Sequence, residues 1–402
     1  MENKLPEGWE WKKLGEIGEI CSGGTPSTRD ETNFDGNIPW VTPADLSNFE
    51  GIYIEKGKRN ISEKGLSSSS AKLLPKNSVI FSSRAPIGYV AIASNPLTTN
   101  QGFKNIILKE EILPEYIYYY LKKSKRLVES YASGTTFLEV SATRFSQIPV
   151  VIPPLETQQK IVSLLEKAEE TKKLRAQADE LTQKLLQSVF LEMFGDPVKN
   201  PRKWDERSLE SLLDEDPQNG LYKPSTDYGE GTQILRIDSF YDGKISNIKK
   251  LKRLNCTPEE IKKYGLNIGE VLINRVNSLE YLGKCGLVET LFEPTVFESN
   301  IMRLKLKKST VNPEYLTSFL CTQFIKNQIL QKAKKAVNQA SINQADVKSL
   351  KILLPPIQLQ NNYSFIIKQI ERTKQSQKQS SLEINNLFDA LMQKAFTGEL
   401  IA

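Results

Sequence analysis

The stretch Ile152-Pro153-Pro154-Leu155-Glu156-Thr157-Gln158 decides how this chain divides. Three apolar residues, Val150 to Ile152, run into two prolines, and neither proline nor glycine recurs before Gly195. Proline suits a helix start, because the N–H it lacks would be unpaired there and its φ is already helical. Glu156 sets a negative charge at the positive end of the helix dipole. Phe194-Gly195-Asp196-Pro197 then supplies a glycine to end the helix and a proline that cannot continue it. The spacing predicts a helix of about 40 residues, a rod of roughly 60 Å. Ordinary globular helices are far shorter.

The same device returns near the C-terminus as Leu354-Pro355-Pro356-Ile357-Gln358-Leu359-Gln360, at an offset of 202 residues (Gln158 to Gln360). The register holds without a gap through Thr171/Thr373, Leu185/Leu387 and Phe194/Phe396. Chance supplies one Pro-Pro pair but not so long an ungapped match, so the chain is an internal repeat. Positions three and four apart outline a seam on each rod. It runs Ile161, Leu164, Ala168, Thr171, Arg175, Ala178, Thr182, Leu185, Val189 on the first. On the second it runs Tyr363, Ile366, Ile370, Thr373, Gln377, Ser380, Ile384, Leu387, Leu391. Apolar ends and a polar middle make this a coiled-coil pattern. Two such rods can pair antiparallel inside one chain, or each can pair with a second copy; the internal pair is expected, because a loose segment between them lets the second rod fold back along the first.

Two more variable segments accompany the rods, one before each. Residues 1–149 read as a mixed α/β unit: Trp9 and Leu14, a turn-rich Ser22-Gly-Gly-Thr-Pro-Ser-Thr28, short strands around Ile38-Val41 and Val79-Phe81, and a helix from Pro114. Residues 197–351 repeat this loosely, with Trp204 and Leu209, a Val271-Ile273 strand leading to Arg275, and Pro313-Glu314-Tyr315. The domains expected are 1–149, the rod at 150–196, 197–351 and the rod at 352–402. The fold class expected is α+β: two α/β domains separated by two long helices that form an antiparallel coiled coil, with a pseudo-twofold internal repeat.

Composition narrows the chemistry. The chain has 402 residues and no histidine, which removes Ser-His-Asp and Cys-His catalysis and H-E-x-x-H metal sites together. No G-x-x-x-x-G-K-[ST] loop and no [DNS]-P-P-[FYW] methyltransferase tetrad occur. The four cysteines are scattered, as in a reduced, cytoplasmic protein. No apolar run is long enough to span a membrane and no signal peptide is expected. The net charge of +6 falls within residues 197–351, which suits an anionic partner such as nucleic acid.

The two variable domains, each ending in an apolar-Pro-Pro-x-x-x-Gln helix, resemble the specificity subunit of a type I restriction–modification enzyme. The resemblance spans the chain, and rests most on Ile152-Pro153-Pro154-Leu155-Glu156-x-Gln158-x-x-Ile161-Val162 and the Gly134-Thr135-Thr136…Ser141…Ile148 approach. The second copy departs at Tyr363-Ser364 and Val337-Asn338. The resemblance implies a non-catalytic DNA-recognition subunit. Each domain would read one half of a bipartite asymmetric site on double-stranded DNA. The rods would space the halves and dock two methyltransferase subunits, joined by restriction/translocase subunits. S-adenosylmethionine, ATP and Mg²⁺ would be bound by those partners and not by this chain. A coiled-coil scaffold protein and a self-contained DNA-modifying enzyme are the alternatives from other classes.

Candidate DNA contacts follow from residue chemistry. Arg84 and Arg275 each follow a strand at a loop, where a guanidinium binds guanine O6 and N7 or else braces the loop. Asn100 and Gln101 carry amides that read adenine or form a turn. Lys249, Lys250, Lys252 and Arg253 form either a phosphate-contacting strip or a solvated face. Tyr118 to Tyr120 read as part core and part helix surface, and Gln158 and Gln360 as helix-packing residues.

Overall fold

The computed structural model describes residues 5–84, 86–134, 138–246, 248–337 and 339–400. Thr135, Thr136 and Asn338 of the approach motifs lie outside the described residues. The fold is mixed α+β, with two compact units, Met1–Gln177 plus Lys378–Ala402 and Ala178–Gln377. The division falls inside both long helices, Leu155–Phe194 and Ile357–Ala395.

In the first unit a strand at Glu10–Lys13 pairs antiparallel with Pro149–Ile152, the apolar run before the first rod. A five-stranded sheet follows in the order Gly18–Ser22, Phe103–Leu108, Val79–Ser82, Val90–Ala93, Tyr53–Ile54. Beside it, Phe34–Val41 pairs antiparallel with Arg59–Ile61 and parallel with Thr98–Thr99. The helix Pro114–Lys123 packs on the larger sheet and is nearly surrounded. Tyr118, Tyr119 and Tyr120 are all buried, so no part of this tyrosine run forms helix surface. The sheet covers one side, and the Tyr119 hydroxyl reaches Glu169 of the first rod at 2.8 Å on another.

The second unit repeats this topology. Asp205–Ser208 pairs with Lys351–Leu354. Its large sheet runs Gln218–Asn219, Ile301–Leu304, Val271–Asn274, Cys285–Leu287, Gly243–Ile245, with Phe240–Tyr241 added at the edge. Tyr228–Leu235 pairs antiparallel with Lys252–Leu254 and parallel with Thr295–Phe297, with a bulge at the place where the first unit has one.

Each rod is tied to its own head by the same contacts. The Gln158 side chain accepts from the Leu113 N–H at 2.9 Å and donates to Pro153 O at 3.0 Å. Gln360 accepts from Asn312 N–H at 2.9 Å and donates to Pro355 O at 2.7 Å. Both glutamines are buried, so each amide satisfies backbone groups that the helix start leaves unpaired. Tyr116 donates to Val151 O and Tyr315 to Leu353 O, at 2.7 and 2.6 Å. At the rod ends, Phe396 meets Tyr116 edge-on at 5.3 Å and Phe194 meets Tyr315 at 4.7 Å. Such ring pairs add about 0.5–1.5 kcal/mol beyond the area they bury. The first rod ends as its punctuation predicts, with Gly195 at φ +81.

The seam differs from the expected one at alternate positions. Leu164, Leu185, Ile366 and Leu387 are exposed, while Leu165, Lys172, Lys374 and Phe388 turn inward. A step of three and a step of four from the same residue reach neighbouring positions, and here the step of four is taken first on each rod. Within the second unit, Gln377 donates to Thr182 Oγ1 at 2.9 Å and Lys374 to Gln183 at 2.8 Å. There Phe190 and Phe194 both reach Tyr363. Within the first unit, Lys172 lies 4.4 Å from the ring centre of Phe388.

Candidate nucleic-acid interface

A loop cluster forms in each unit where the short parallel pair meets the large sheet. In the first unit it begins with Gly23, whose backbone crosses residues 99–103 so closely that a Cβ would lie 2.0 Å from Asn100 O. Gly24 N–H donates to Thr99 O at 2.8 Å, fixing the loop that carries Thr25 to Thr28. Ser83 N–H donates to Gly102 O at 2.7 Å. Arg84, Asn100 and Gln101 thus belong to one neighbourhood, as binding loops on a rigid scaffold do. Asn100 Oδ1 accepts from Gly102 N–H at 2.9 Å, forming a turn. Gln101 is exposed and its side-chain oxygen accepts from the Thr25 hydroxyl.

Arg84 lies 3.6 Å from Glu139, which also stands 3.5 Å from Lys104 Nζ. Lys104 is almost fully buried, and that burial holds its ammonium below the usual lysine value while Glu139 pulls it back up. A half-exposed Arg84 is left facing the loops, with its charge partly offset.

In the second unit Gly220 repeats Gly23: its Cβ would lie 2.3 Å from Glu298 O. The ladders set the remaining equivalences. Val79 pairs with Ile106 as Val271 pairs with Leu304, and Ser82 with Phe103 as Asn274 with Ile301. Arg275 therefore stands where Ser83 does, and Val276 where Arg84 does. The two arginines are not counterparts, because one step along a strand reverses the face. Arg275 braces its loop, donating from Nη1 to Ser299 O at 3.1 Å, with Nε buried and lacking an acceptor.

A cleft of about 390 Å³ opens in this cluster, lined among others by Tyr222, Lys223, Tyr228, Arg236, Lys252 and Asn300. Arg236 donates from Nε to Glu298 at 3.3 Å, and its guanidinium sits 5.7 Å from the Tyr228 ring centre. Burial pushes the Glu298 carboxyl up, against the Ile237 N–H and Arg236, which hold it down. Lys223 pairs with Glu260 at 2.8 Å, which raises its ammonium above the usual value. Nearby, Lys284 Nζ lies 3.7 Å from the ring centre of Tyr241 and 5.4 Å from that of Tyr281. Its burial lowers its pKa, opposed by Asp238 and Glu298. Cations interleaved with exposed aromatic rings suit a polyanion with flat bases.

The basic strip splits by position. Lys252 lines the cleft. Arg253 is turned to Glu293, which both of its Nη groups reach, and to Gly231 O. Lys249 lies 5.1 Å from the Phe292 ring centre and Lys250 is exposed. Sequence reading missed Tyr222, Arg236, Glu298 and Lys284. One signal was available: Gly23-Gly-Thr-Pro-Ser-Thr28 answers Gly220-Leu-Tyr-Lys-Pro-Ser-Thr226, one residue longer. Among the described residues, no three His, Cys, Asp or Glu side chains gather as metal ligands, and no helix is long and apolar enough to cross a membrane.

Comparison with known proteins gives the family and the fold. The family model for the type I restriction modification DNA specificity domain matches residues 6–183 and again 201–386. A relative from Methanocaldococcus jannaschii, the type I restriction enzyme MjaIX specificity subunit, is 30% identical over 420 residues, covering 99% of this chain and 94% of the relative. The EcoKI specificity subunit of Escherichia coli K12 is 27% identical over 438 residues, covering 99% and 90%. Among solved structures, one reported for complex assembly and conformational transition of the type I R-M system superposes with a TM-score of 0.65 at 22% identity, covering 99% of this chain and all of that one. The crystal structure of an HsdS subunit from Thermoanaerobacter tengcongensis gives a TM-score of 0.55 at 21% identity, covering 99% of each chain.

Proposed function

The chain belongs to the type I restriction–modification DNA specificity family, and from that premise we propose how its parts divide the work. It is a specificity subunit: a DNA-recognition chain with two target recognition domains and no catalytic role of its own. Residues 1–149 and 197–351 are the two readers, each taking one half of a bipartite asymmetric site. The rods at 150–196 and 352–402 pair antiparallel as a coiled coil, hold the readers at a set spacing, and dock two methyltransferase subunits. Restriction/translocase subunits complete the cytoplasmic complex. S-adenosylmethionine, ATP and Mg²⁺ act on those partners.

The observation that carries this reading is one topology used twice with different charged groups in its loops. Arg84 and Glu139 mark the first cluster, and Arg236 and Glu298 the second. A protein that needed two identical contacts would have no use for that divergence. Mapping the DNA methylated by the chain assembled with its methyltransferase partners tests it. A bipartite motif is expected, and exchanging residues 1–149 for those of a relative should change one half only. If both halves change together, the assignment of one reader per half is wrong.

A further inference from the structure

The cleft of the second unit holds a side chain whose setting is more specific than a basic surface requires. Arg236 is fixed at its inner edge: Nε donates to Glu298 at 3.3 Å, while the guanidinium lies over Tyr228. Glu298 is itself pinned, since its other oxygen accepts from Ile237 N–H and its side chain is 11% exposed. An arginine anchored through Nε keeps its two Nη groups for what enters the cleft. Those two donors match the spacing of guanine O6 and N7, the bidentate contact that discriminates best in the major groove. Lys252 and Asn300 line the same cleft and Tyr222 stands 78% exposed at it.

The first unit has nothing of this kind at the matching positions. Asn100 N–H donates to Val41 O as Glu298 N–H donates to Leu235 O, so Asn100 stands for Glu298 and Thr42 for Arg236. A buried carboxylate is costly to keep, and it serves no shared step of the fold, because the other unit folds without it.

We propose that Arg236, positioned by Glu298, is the guanine-reading side chain of the second recognition domain. This rests on the reading of residues 197–351 as a DNA reader. A phosphate contact by Arg236 is the competing outcome, since such a contact positions the protein without choosing a base.

The test uses the full chain with its methyltransferase partners and a DNA library randomised across the second half-site. The unaltered complex should require guanine at one position there. Arg236→Ala should lower that preference about tenfold to hundredfold and leave the first half-site unchanged. Arg236→Lys, which keeps the charge but loses the planar fork, should also lower it. Glu298→Gln should lower it less, with the salt dependence of binding unaltered. The proposal is overturned if the second half-site contains no required guanine. It is also overturned if the preference survives in Arg236→Ala, or in Arg236→Met where the alanine variant does not assemble. A uniform loss over all sequences, with a shallower salt dependence, overturns it in favour of the phosphate contact. Failure of the functional reading looks different: the unaltered complex would yield no bipartite motif at all.

Discussion

The two recognition units are one fold carrying two arrangements of charge. The first sets Arg84, Glu139 and Lys104 together, where the ladders of the second place Val276, Ser341 and Met302. The second sets Arg236, Glu298 and Lys284 close together, where the first has Thr42, Asn100 and Tyr89. What stays constant is backbone: strand order, the bulge in the short sheet, the glycine crossing, the glutamine that ties each rod to its head. Backbone hydrogen bonds must be satisfied in any copy of a fold, whereas loop side chains facing water carry no such demand. Divergence therefore collects where a ligand would be met.

The equivalence is tested most sharply at the glycine crossings. Gly23→Ala puts a Cβ 2.0 Å from Asn100 O, and Gly220→Ala puts one 2.3 Å from Glu298 O. The obstacle is backbone in both cases and cannot swing aside. Each substitution should cost about 3 kcal/mol, the upper end for overpacking, and abolish methylation, since both half-sites must be read. Calorimetric unfolding of the two variants should give similar losses. If one unit tolerates the alanine, the two loops are not built alike.

A smaller effect runs the other way at Lys104. Its counterpart is Met302, and both are buried. Lys104→Met should raise stability by about 1 kcal/mol, because a well-packed apolar side chain often improves on a buried ionic group. Glu139 keeps Arg84 and remains 40% exposed, so it is not stranded. The pH dependence has a definite sign. Burial holds Lys104 below its ordinary 10.5, so the unfolded chain binds that proton more tightly. The native protein thus gains stability as pH rises from the lowered value toward 10.5. The advantage of methionine should be full at neutral pH and shrink through the alkaline range. An advantage that grew with pH would contradict the burial of a charged Lys104.

The rods were legible because their repeat is ungapped and punctuated by Pro-Pro and glycine. Their seam was only half legible: Leu164 and Leu165 are adjacent leucines, and heptad steps do not say which faces inward. The heads are legible as two loosely matching units but not in their exact register, because insertions change the offset between rod and sheet. Glu139 and Ser341 keep the rod's 202, while Ser82 matches Asn274. That slip is why Arg275 looked like the partner of Arg84. Arg236 and Glu298 lie 62 residues apart, and nothing local marks a contact that only the parallel pairing of Tyr228–Leu235 with Thr295–Phe297 creates.

The mildest test separates members of the basic strip in the second unit, whose counterpart along the ladder of the first is Lys56-Gly57-Lys58-Arg59. Lys249 and Lys250 are exposed, and Lys249 Nζ lies 5.1 Å from the Phe292 ring centre. Arg253 is committed to Glu293 through both Nη groups. Phosphate contacts release counterions, so each one lost should reduce the slope of log affinity against log salt by about 0.9. Lys249→Ala and Lys250→Ala should each make that slope shallower and weaken binding evenly, with the methylated motif unchanged. Arg253→Ala should leave both slope and motif as they are, since its charge is already paired with Glu293. Binding of the assembled complex to one cognate duplex, titrated with salt, decides the matter. A slope that fell for Arg253→Ala and not for the lysines would mean that the pair with Glu293 opens on DNA, and that the strip reads with its inner face.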